Sequence, residues 1–152
     1  MAGEEAAMGI DRPITVAEWV THYREEYGLP VAERGGYLML PITGRIGVVH
    51  VPAIRAHRVR AALDRHGSRG PVLARQIRWS FLAEPDIAPG PRVLESLGRN
   101  DIGLPGIGSA VMLPTGLGRW TREGCHWVIP PERDTTLPAL STVLRTALAA
   151  TA

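Results

Sequence analysis

A single α+β domain is what this sequence predicts, and three observations predict it. Short apolar or β-branched runs bounded by glycine and proline alternate with segments whose apolar residues recur at helical spacing. The 152 residues suit one domain, with no internal repeat and no linker rich enough to divide them. Hydrophobic residues make up 45% and charged residues 21%, so the chain can bury a core without disulfides or metals.

Residues 1–12 (MAGEEAAMGIDR) are acidic and small, and read as a mobile tail ahead of a domain spanning 13–152. They lack the apolar centre of a signal peptide. In "PITVAEWVTHYREEYG", Thr15 and Glu18 form a capping box, Val16, Trp19, Val20, Tyr23 and Tyr27 make one stripe, and Gly28 and Pro30 end the helix. "GGYLMLP" and "RIGVVHV" are strands, and Pro52 closes the second and opens a helix from Ala53 to Arg65. That helix is expected to bury Ile54, Val59, Ala62 and Leu63 and to stop at Gly67 and Gly70.

Residues 71–85 (PVLARQIRWSFLAEP) read as a β-hairpin with a polar turn. "PRVLESLGRN" is a short helix with Val93, Leu94 and Leu97 inward and Gly98 at its stop. "SAVMLP" is a strand, and Trp120, Trp127 and Val128 mark a further strand or hairpin. The C-terminal segment is a helix lined by Leu140, Val143, Leu144, Ala147 and Leu148.

Composition excludes several chemistries. All 17 basic residues are arginine, so a P-loop with its lysine is impossible. The lone Cys125 forbids an internal disulfide and suits a reducing, cytoplasmic setting. Cys125, His126 and His50 lack the paired spacing of a structural zinc site. No apolar run approaches the roughly 18 residues of a membrane span. A net charge of +2 does not by itself mark a nucleic-acid binder, so the distribution of arginine matters more.

The motif order "VVHVPAIRAHRVRAALDRHG…GPVLARQIRWSFLAEP…NDIGLPGIGSAVMLPTG…GRW" resembles a primase–polymerase (prim-pol) domain of the archaeo-eukaryotic primase superfamily, of the small actinobacterial type, over residues 40–131. The resemblance implies an RRM-like mixed sheet with helices packed on it, and two-metal nucleotidyl transfer through carboxylates. It also implies a degenerate site. The first acidic pair falls on His50 and Pro52, the phosphate-contacting histidine on Trp79, and a single acid survives as Asp101.

The function expected is therefore that of a non-catalytic binding or regulatory protein that contacts DNA, RNA or a protein partner. Arg55, Arg58, Arg60 and Arg78 are the expected phosphate contacts. No metal or other cofactor and no membrane enter this reading. One alternative is an active nucleotidyl transferase, with magnesium or manganese held by Asp101 together with Asp64 or Glu84. Another is a protein–protein interaction module, such as a homodimer.

Overall fold

The computed structural model describes residues 13–134 and 136–151, so the predicted tail at 1–12 lies outside the described residues. Helix α1 (Val16–Tyr27) starts at the predicted box: Glu18 N donates to Thr15 Oγ1 (3.1 Å) and Thr15 N donates to the Glu18 carboxylate (2.9 Å). Gly28, left-handed at φ 68°, stops it. The elements that follow are β1 (Ala32–Arg34), β2 (Tyr37–Pro41), β3 (Gly47–Pro52), α2 (Ala53–Arg65), β4 (Val72–Ala74), β5 (Arg78–Ala83), α3 (Pro91–Arg99), β6 (Ala110–Leu113), β7 (His126–Ile129) and α4 (Leu140–Ala149).

The α+β class stands, with the single mixed sheet corrected to two antiparallel ones, ordered β1-β2-β6 and β3-β5-β4-β7. In the larger sheet β5 lies between β3 and β4 and is antiparallel to both. β3, α2 and β4 therefore form a split β-α-β unit. Strand β1 escapes sequence reading because Ala32, Glu33 and Arg34 are all exposed and carry no apolar alternation. It folds back on β2 through Gly35 and Gly36, both at positive φ.

Strand alternation sends the four-stranded sheet's side chains into two separate cores. On one face Val49, Val51, Phe81, Val72 and Ala74 pack with Val59 and Leu63 of α2 and Val143, Leu144 and Ala147 of α4. On the other, Val48, Leu82, Leu73 and Trp127 pack with Leu38, Leu40, Val111 and Leu113 of the second sheet and with Trp19 and Tyr23 of α1. The order is thus helices, four strands, then three strands with α1.

Three local expectations change. Ile54 is 86% exposed, and Ala56 takes the inward place beside Val59 and Leu63. In α3 Leu97 alone is buried, while Val93 and Leu94 face outward and Gly98 lies inside the helix. Trp120 is outside any strand, at φ 51°, and only β7 forms in that region. No helix among the described residues is long and apolar enough to cross a membrane.

Candidate functional site

On the face toward the second sheet, the cross-strand rungs of β3 and β5 run Val48–Leu82, His50–Ser80 and Pro52–Arg78. The first rung is fully buried and apolar, and the next two are polar or carry proline. His50 Nδ1 lies 2.8 Å from Ser80 Oγ, and Ser80 is completely buried. Arg78 brings its guanidinium to the same place: a Cβ built on Gly103 would sit 3.2 Å from Arg78 Nη1 and 3.3 Å from His50 Cβ. Arg75 closes the β4–β5 turn, with its N–H on the Arg78 carbonyl, and its Nη2 donates to the Met112 carbonyl of β6 (3.2 Å).

His50, Ser80, Arg75 and Arg78 thus converge at one end of the layer between the sheets. Burial, then the charges of Arg75 and Arg78, push the His50 imidazole down to about 4, so the ring is neutral at pH 7. Neither arginine takes part in an ion pair among the described residues. Two guanidinium forks and a histidine with no acid among them can receive an anion, and the bidentate geometry of arginine suits phosphate or carboxylate oxygens.

The segment after α3 completes this edge. Gly103 exchanges two backbone hydrogen bonds with His50, N–H to O at 2.9 Å and O from N–H at 2.8 Å, and so covers the open side of β3. Asp101 sits two residues earlier, exposed and at φ 57°. Its N–H bonds Gly98 O (3.2 Å) and the N–H of Ile102 bonds Leu97 O (2.9 Å). Leu97 and Ile102 share the helix-side core. This is a Schellman stop with aspartate in the place that glycine usually fills. The geometry accounts for Asp101 as the residue that ends α3.

The other residues singled out from sequence are dispersed. Trp79 points away from His50, buried on the helix side with its ring 4.4 Å from His57 in an edge contact. The cause is alternation: Arg78 and Ser80 occupy one face, so Trp79 occupies the other. Arg55 is taken up internally, its Nη2 donating to Asn100 O (2.5 Å) at the end of α3. Arg60 is half-buried with its Nε unpartnered, and Arg58 is exposed on α2. Of the four arginines expected to contact phosphate, only Arg78 belongs to the cluster.

Arg75 and Ser80 belong to it without having been expected there. Their pairing with β6 and β3 is non-local, and only the predicted hairpin placed Arg75 near Arg78 at all.

Two further groups are accounted for by packing. Cys125 is fully buried, and burial pushes its thiol up to about 11, away from nucleophilic reactivity. His126 stacks edge-on to Trp120 at 4.6 Å between ring centres. Among the described residues no group of three or more His, Cys, Asp or Glu is arranged to hold a metal ion. No family model matches the chain, and neither a curated protein nor a solved structure matches it significantly.

Proposed function

We propose that the protein binds a phosphate-bearing ligand, with single-stranded nucleic acid as the favoured form, and that it does so without transferring phosphoryl groups. The observation that carries this reading is the convergence of Arg75, Arg78 and the His50–Ser80 pair with no acid among them. Beside the cluster stand two exposed isoleucines. Ile77, 78% exposed, lies in the turn before Arg78, and its carbonyl accepts from the N–H of Ala53, next to the exposed Ile54. The two arginine forks suit successive phosphates of a chain, and the isoleucines offer its bases apolar contact without aromatic stacking.

Two features support the resemblance to a degenerate prim-pol domain. A split β-α-β unit occurs in RRM-like sheets, and Gly103, two residues past Asp101, pairs with His50. In that alignment His50 and Pro52 replace the carboxylates a metal would need.

Fluorescence anisotropy of a labelled single-stranded oligonucleotide tests the reading. Binding is expected to weaken steeply between about 50 and about 200 mM salt, as counterion release demands. Arg78→Gln is expected to cost about 1–2 kcal/mol of affinity, the loss of one charge-assisted pair. Phosphate arriving beside His50 offsets the two arginine charges, so binding near pH 5–6 is expected to take up a proton. Unchanged affinity in Arg78→Gln and Arg75→Gln would reject the site. No binding at low salt would reject nucleic acid as the ligand.

A further inference from the structure

A second surface, on the outer helix layer and independent of the His50 cluster, has its own chemistry. Helices α2 and α4 pack together over the first core and leave a groove of about 670 Å³ along their outer seam. The small side chains Ala61, Ala62, Ala149 and Ala150 line it. Thr142 and Thr146 also line it, and the Thr146 hydroxyl is already bonded to the Thr142 carbonyl (2.8 Å). Arg58, Arg65 and His66 from α2 and Arg145 from α4 line the groove as well, and no acid among the described residues does. Asp86 is the acid that feels Arg145, and it is already engaged by the N–H and hydroxyl of Ser141 at the start of α4.

Small residues in the lining let another backbone come close, and a groove between two helices is the shape that accepts a third. Arg58 and Arg65 are seven residues apart on α2, two turns or about 10.5 Å at 1.5 Å per residue. A helix lying alongside would meet both with acids at the same spacing. A second copy of this chain, docked groove to groove, would instead oppose arginine to arginine. No Phe, Tyr or Trp lines the groove, so stacked bases have nothing to rest on. A flat bilayer cannot follow a concave seam.

We propose that the α2–α4 groove is the docking site for an acidic amphipathic helix of a partner protein, apolar on the face it lays against the alanines and carrying glutamate or aspartate toward Arg58, Arg65 and Arg145.

A labelled helical peptide, with leucine at every third or fourth position and glutamates seven apart, is the probe, and its lysine-for-glutamate counterpart is the control. The acidic peptide is expected to bind and the lysine peptide not to. Arg58→Glu/Arg145→Glu is expected to weaken binding about tenfold or more by reversing two of the lining charges. Both arginines are exposed, so the double variant should keep its fold, and circular dichroism checks that it does. Ala61→Glu, also at an exposed position, is expected to weaken binding through the small-residue lining. Amide shift changes on peptide addition should centre on Ala61, Ala62, Ala149 and Ala150, with Arg78→Gln leaving them unchanged. Equal binding of both peptides, or shift changes centred elsewhere, would overturn the proposal. Tighter binding of anionic vesicles or single-stranded DNA, with the same loss in the double variant, would overturn it in favour of lipid or nucleic acid.

Discussion

The two faces of the four-stranded sheet are closed by different means. Toward α2 and α4 the contact is apolar, built from valine, alanine, leucine and Phe81 against two amphipathic helices. Toward the second sheet the apolar packing is stitched with polar contacts. The Tyr23 hydroxyl donates to Pro114 O (2.6 Å) and accepts from Trp127 Nε1 (2.9 Å), Arg75 reaches Met112 O, and His50 meets Ser80. Apolar burial is non-directional, whereas buried hydrogen bonds hold one register, because a misaligned donor loses its partner in a low dielectric. The candidate anion site lies at the end of the stitched face, where such fixed geometry is useful. The apolar face leaves only its outer surface free for contacts.

Removing packing from the helix-covered face should have the largest effect. Phe81→Ala deletes a fully buried ring from the middle of β5 and is expected to cost about 3–5 kcal/mol, read as a fall in denaturation midpoint. On the other face a hydroxyl alone should register. Tyr23→Phe keeps the ring but leaves Pro114 O and Trp127 Nε1–H buried without partners, at about 1–3 kcal/mol. A loss well below 1 kcal/mol would mean that the polar stitching adds little, and that the two faces are alike.

A smaller difference should appear with pH. His50 has a folded value of about 4 against an ordinary 6.5, so the unfolded chain takes up a proton that the native protein refuses. The stabilising effect of the neutral ring is complete above pH 6.5 and is lost as pH falls from 6.5 through 4. The ring is only half-buried, so solvent screening reduces the slope to about 0.5 kcal/mol per pH unit across that window. His50→Asn is expected to flatten this part of the stability profile relative to the native chain. Parallel profiles would place the imidazole in freer contact with water than its Ser80 contact implies.

What the sequence made legible follows from which signals are local. The capping box at Thr15 and Glu18, the period of α4, the start of α2 after Pro52 and the β4–β5 hairpin depend on neighbours in the chain, and all form as read. The division into two sheets depends on β6 pairing with β2 across some seventy residues of sequence, which no local pattern encodes. The site was half legible for the same reason. Arg78 and His50 stood out by type and place, while Ser80 and Arg75 acquire meaning only from the registers that set them opposite His50 and beside Met112. Trp79 misled because its identity invites a role, whereas strand alternation decides its face.

The strap that joins the two faces offers the finest test. Ile102 anchors it in the helix-side core, and one residue later Gly103 pairs with His50 on the opposite side of the edge. Asp101 sets its direction by adopting φ 57°, a left-handed conformation that costs a residue with a Cβ about 1 kcal/mol, somewhat less for aspartate. Asp101→Gly removes that strain, and the added freedom of the unfolded chain takes back part of the gain. The net expectation is a stabilisation of about 0.5 kcal/mol with binding to the oligonucleotide unchanged. Chemical denaturation and anisotropy on the same preparation separate the outcomes. A variant more stable and equally competent assigns Asp101 to the turn, while lost binding with intact stability would assign its carboxylate to the ligand site and bring the edge and its strap into one functional unit.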